Sequence, residues 1–183
     1  MKGTRNALWA VMLSVGVLSL ALNLWQMHRQ AQTRQSLWAT ACRPCVAQAI
    51  QDTAFLEARL AARRMSPAER KAYGQALDRL DACAQKLGTV QGQTAVDEFY
   101  EPLDRLQFWQ AQAVQLARDS ARLDRRRDQG MLQLAVRAIH SMRLNQVRCA
   151  VMLGQAAVGK LGLQGGALAS AQAWAALEPG PRP

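Results

Sequence analysis

The sequence is short of aromatics, lysine and histidine. Aromatic residues make up 5% of the chain, which leaves the arginine clusters without the interleaved stacking platforms of a single-strand nucleic-acid binder. Nucleic acid is therefore not an expected partner. The lysines are Lys2, Lys71, Lys86 and Lys160, so almost all the positive charge is arginine. The two histidines, His28 and His140, lie far apart in the chain and have no evident nucleophile or metal partner. His28 reads as interfacial and His140 as a helix-surface residue. Alternating Val/Ile/Thr/Tyr runs are missing, which argues against a sheet. A phosphate-cradling glycine loop, a zincin helix and a serine-hydrolase elbow are missing too. No catalytic residue is nominated, no cofactor or metal is implied, and an enzyme is not the favoured reading.

What remains is helix-forming. Ala, Leu, Gln and Arg dominate the 183 residues, all compatible with helix. The length suffices for one domain with a core and appendages. The predicted fold is all-α: an N-terminal transmembrane helix followed by an antiparallel up-down four-helix bundle. The formal charge of +10 suggests an anionic partner, a protein or an envelope polymer, although solvated helix faces account for much of it.

Residues 7–27 carry no charge. About 20 apolar residues cross a bilayer core as a helix. Trp9 and Trp25 fall near the ends of this run, roughly 24 Å apart at helical rise. A signal peptide cleaved near Ser19-Leu20-Ala21 is the rival reading, but Trp25 beyond that point favours an uncleaved anchor over 1–28. Residues 29–43 are expected to continue as a helical stalk. Basic residues flank both sides of the span, so orientation rests on the four cysteines. An even number suits the oxidising side, which places the C-terminal domain in the periplasm or outside the cell.

The bundle is predicted over 44–154. Pro44 suits a helix start. Met65-Ser66-Pro67-Ala68-Glu69 reads as a tight turn in which Ser66 caps the next helix, Pro67 opens it and Glu69 bonds back. Met65, Ser66 and Glu69 faintly resemble the Leu-Thr-x-x-Gln box of small periplasmic stress chaperones, which are helical hairpins. A second box is missing, and generic capping accounts for all three residues. Gly88 and Gly154 are expected to end the second and fourth bundle helices. The third is expected to run from about Thr94 to Arg127, bent or restarted at Pro102. Asp128-Gln129-Gly130 makes the second hairpin turn. Met131 and Met142 are expected to face inward. Residues 155–183 are expected to form a Gly/Ala-rich flexible tail.

Counting outward from the turns brings Cys42, Cys45, Cys83 and Cys149 to the membrane-proximal end. Three readings compete. Two disulfides, Cys45 with Cys83 and Cys42 with Cys149, would each stabilise by about 4 kcal/mol in the chain-entropy model. A thiol-redox site at Cys42-Arg43-Pro44-Cys45 would exploit a lowered pKa at a helix start. A four-thiolate metal site has only one Cys-x-x-Cys half. The disulfide reading is preferred. At the opposite end, Arg63, Arg64, Arg70 and Lys71 flank the first turn, and Arg122, Arg125, Arg126 and Arg127 the second. They form a basic cap that could bind an anionic partner, with intrahelical ion pairing as the plainer account. The expected function is thus binding, as scaffold, adaptor or assembly factor, with a thiol-redox or metal-responsive envelope protein as the alternative.

Overall fold

A computed structural model describes residues 2–37, 41–62, 64–93 and 97–161. Among them every regular element is helical and no strand occurs. The elements are α1 (Lys2–Leu37), α2 (Arg43–Ala61), α3 (Pro67–Gln93), α4 (Asp97–Ala121) and α5 (Gln129–Leu161). Part of the predicted basic cap, Arg63, lies outside the described residues, as does the predicted tail beyond Leu161.

The first helix is continuous for 36 residues, about 54 Å at helical rise. Its stretch Val11–Thr33 is the one helix among the described residues long and apolar enough to cross a membrane. Val11, Met12, Leu13, Val15, Val17, Leu18, Leu20 and Leu24 are all exposed. Such a sleeve of apolar surface is costly in water and costs nothing in lipid. Trp25 carries the Arg29 guanidinium 5.2 Å from its ring centroid. The helix runs on through 29–37 without interruption. Ala41 and Cys42 form a π-type turn before α2. Pro44 lies in the first turn of α2, where its missing N–H removes no internal hydrogen bond.

The other four helices pack on one another. The α2 helix packs on α3 and α5, and α4 packs on α3 and α5. Two apolar clusters fill the space between them. One gathers Cys42 from the turn before α2, Cys45, Val46 and Ile50 from the start of α2, Cys83 and Leu87 from α3, Leu103 and Leu106 from the start of α4, and Val147 to Ala157 from the end of α5. The other gathers Leu56 and Leu60 from the end of α2, Tyr73 to Leu80 from the start of α3, Val114 and Ala117 from α4, and Leu132 and Ile139 from the start of α5. Fully burying each leucine contributes about 1.5–3 kcal/mol, so these stripes, rather than helix propensity, hold the helices in place.

Two glycines do not end helices as predicted. Gly88 and Gly154 are internal to α3 and α5, which continue to Gln93 and Leu161. In α5 the apolar stripe itself continues, with Ala157 buried past the expected stop. Burial there outweighs the roughly 1 kcal/mol that an internal glycine costs. The third bundle helix ends sooner than predicted, at Ala121. Aspartates divert the backbone: Asp124 Oδ1 accepts the Arg126 amide at 2.9 Å, and Asp128 Oδ2 accepts the Asp124 amide at 3.1 Å. Such local side-chain bonds compete with helix. Gly130 therefore lies in the first turn of α5, and Met131 is exposed rather than inward.

Polar ties join the helices from their middles toward the two short connections. Asp52 on α2 accepts Arg79 of α3 through two bonds, at 3.0 and 2.6 Å. Arg118 of α4 pairs with Asp81 of α3, and the Tyr73 hydroxyl donates to the Ala117 carbonyl at 2.8 Å. Glu57 on α2 accepts Arg143 of α5 at 2.8 Å and bonds His140 at 2.8 Å. His140, expected on a free helix surface, is thus half-buried in an interhelical contact.

Candidate functional site

Two regions bring sequence-nominated residues together. The first is the cysteine cluster. All four cysteines are buried and share one apolar cluster, with Trp109 packed against it. They are free thiols, so neither of the expected disulfides is present. The lowered pKa expected at Cys42 is also reversed. Burial first, then the neighbouring Cys45, pushes the Cys42 thiol far up. Burial, the hydrogen bond with Cys45 and that residue's charge push Cys83 up to about 12. Cys149 is also raised, chiefly by burial, with Arg105 opposing. The helix start does favour a thiolate, but desolvation of the charged form dominates. Such thiols are poor nucleophiles at neutral pH. Among the described residues no three His, Cys, Asp or Glu side chains converge to hold a metal ion.

The second region lies where the two connections meet. Ser66 and Glu69 form the predicted capping box: the Glu69 amide donates to Ser66 Oγ at 3.2 Å, and the Ser66 amide to Glu69 Oε2 at 2.8 Å. Glu69 also pairs with Arg59. The Ser66 amide and hydroxyl first, then Arg59, hold the Glu69 carboxyl below its usual range. This box fixes the entry of α3. Beside it opens a depression of about 1420 Å³ between the α2–α3 connection, the α4–α5 connection and the first two turns of α5. Its floor includes Leu60, Tyr73, Leu132 and Val136.

Among the described residues, five arginines line this depression, Arg64, Arg70, Arg125, Arg126 and Arg137, against one acid, Asp124. Their roles differ. Arg125 donates to the carbonyl of Ala62 and approaches those of Leu60 and Arg59 at 3.4 Å. Its hydrogen bonds go to the carboxyl end of α2. Arg70 approaches the Met65 carbonyl at 3.5 Å. Arg64, Arg126 and Arg137 line the depression without an acidic partner among the described residues. Lys71, Arg122 and Arg127 are exposed and do not line it. Arg137 escaped the sequence reading. Its signal was the four-residue spacing Gln129-Gln133-Arg137, which places all three on one face of α5.

No protein-family model, curated protein or solved structure matches this chain. The reading of its function therefore rests on the chain's own residues.

Proposed function

We propose that this is a membrane-anchored helical-bundle protein that acts by binding, as a scaffold, adaptor or assembly factor. In this reading α1 is the anchor and α2 to α5 form an antiparallel up-down four-helix bundle held outside the cytoplasm. The composition of the two apolar clusters supports the antiparallel arrangement. Each cluster joins the start of α2 and α4 to the end of α3 and α5, or the reverse. The observation that carries the binding reading is the convergence of Arg64, Arg126 and Arg137 on one concave surface where Asp124 is the one acid among the described residues. Unpaired guanidinia on a partly apolar floor suit an anionic protein or cell-envelope polymer, which would gain bidentate contacts.

The experiment is a pull-down from the native membrane with the full-length chain and its R64E/R126E/R137E variant. These positions are at solvated sites, and Arg and Glu have similar helix propensity, so helicity is retained. The wild-type chain captures its partner less well as salt rises, because exposed charges are screened over about 8 Å at physiological ionic strength. The variant loses capture at every salt concentration. Equal capture by both proteins rejects the arginine surface as the contact. The alternative reading, thiol-redox or metal-responsive chemistry at Cys42 and Cys45, is disfavoured by the burial of both sulfurs and the raised pKa of Cys42.

A further inference from the structure

The apolar run of α1 carries a second pattern. Gly16, Ser19, Asn23, Gln26, Gln30 and Thr33 recur at alternating three- and four-residue spacing, which sets them in one stripe along the helix. Residues 7–27 hold one glycine and the polar side chains of Ser14, Ser19, Asn23 and Gln26. All of these but Ser14 lie on the stripe. Residues 11–30 are exposed throughout, and a side chain added at Gly16 would meet nothing within 4 Å. The amides of Asn23, Gln26 and Gln30 have no hydrogen-bond partner among the described residues; the bonds nearby are those of Gln32 with His28 and of Thr33 with the Arg29 carbonyl. Trp25, which carries Arg29, points about 130° round the helix from the stripe. Within the Val11–Thr33 span an unpaired amide facing lipid has no water to bond, which is costly.

We propose that this stripe is the contact between two copies of the chain, which pair through α1 as a parallel dimer in the membrane. The proposal rests on the anchor reading of α1 and is independent of the arginine surface. The occupant is a second copy because the stripe is complementary to itself. Two copies share one orientation and one depth, so across a two-fold axis along the helices each residue meets its own counterpart. A carboxamide is both donor and acceptor, so Asn23 can pair with Asn23, and Gln26 with Gln26. Gly16 and Ser19 let the two backbones approach closely, as small residues do between membrane helices. The repeat of seven, Gly16-Asn23-Gln30 and Ser19-Gln26-Thr33, keeps one seam in register along both helices with a left-handed crossing. The same helix runs unbroken to Leu37, so the seam continues beyond the apolar run.

The test uses the full-length chain fused at its C-terminus to a donor or an acceptor fluorescent protein, both reconstituted in phosphatidylcholine vesicles. Alkaline carbonate washing first checks insertion. Energy transfer is then read as lipid is added and as unlabelled chain competes. The expected result is transfer above that of randomly placed chains, reversed by dilution in lipid and by the competitor. N23L/Q26L lowers the association constant about tenfold, although it is more apolar and inserts at least as well. N23Q keeps an amide and retains most of the association. G16I weakens pairing by holding the backbones apart, whereas A21I, on the opposite side of the helix, leaves it unchanged. Removal of the chain by carbonate overturns the anchor reading and the dimer with it. Retention with no transfer above random proximity leaves the anchor standing and overturns the dimer, giving the stripe to lipid or to a different helix. Transfer that N23L/Q26L and G16I leave at the wild-type level also overturns it, because the copies then meet elsewhere.

Discussion

The guanidinium of Arg125 is hydrogen-bonded to the carbonyl oxygen of Ala62, 63 residues earlier in the chain. Its other contacts, at 3.4 Å, are the carbonyls of Leu60 and Arg59. One side chain from the α4–α5 connection thus covers the orphan carbonyls at the end of α2, where a cation also opposes the negative end of the helix dipole. R125M is expected to lower stability by about 1.5–3 kcal/mol, the range for hydrogen bonds to charged groups. R125K keeps the charge but loses the fork and should recover only part of this. Urea unfolding curves for the three proteins provide the check.

The capping box carries a pH signature. S66A should cost about 1 kcal/mol. The folded-state pKa of Glu69 is depressed, so its stabilising contribution is present above the unfolded value of about 4.3 and is lost as pH falls through the folded value. The difference in unfolding free energy between wild type and E69Q should therefore be constant near neutrality and shrink only on the acid side of that unfolded value. A difference that grows as the solution is acidified contradicts the assignment.

The pairing of Asp52 with Arg79 is asymmetric. The Asp52 side chain is 4% exposed and that of Arg79 is 48% exposed. Removing the arginine strands a buried carboxylate whose remaining contact is Gln48 Nε2 at 3.0 Å. Removing the aspartate leaves a guanidinium that water can reach. R79A is therefore expected to cost about 3 kcal/mol, and D52A about 1 kcal/mol. Equal losses in paired thermal melts would count against this ordering.

Gln146 is fully buried on α5, and neither its amide nitrogen nor its oxygen has a hydrogen-bond partner among the described residues. Leaving such a group unpaired costs about 1–3 kcal/mol. Q146L should raise stability by about 1 kcal/mol, measured by denaturant unfolding. A loss of stability would indicate that an ordered water serves the amide.

Local chemistry was legible in the sequence, and long-range chemistry was not. Ser66 and Glu69 announced their turn because both partners lie within four residues and their spacing has one structural use. The shared height of the cysteines could be counted from the turns, because helical rise is fixed. Arg125 could not be assigned, since its acceptors lie 63 to 66 residues away and its backbone is set by neighbouring aspartates. Gly154 misled for the opposite reason: a local breaker signal was overridden by the burial of Ala157 among apolar residues of the other helices. The thiol pKa values followed from burial, which a motif at a helix start does not reveal.

The uneven distribution of polar ties makes temperature act unequally along the helices. Toward the connections, apolar burial is joined by Arg125, Tyr73 and the Arg118–Asp81 pair. The cysteine cluster rests mainly on apolar contact, with the Asp52–Arg79 pair at its edge. Apolar burial weakens on cooling, whereas bonds of the other kind do not share that dependence. Chilling should therefore loosen the cysteine end first and admit reagents to its thiols while the arginine end stays closed, so that cold, rather than heat, is the gentler key to the sulfur chemistry of this chain.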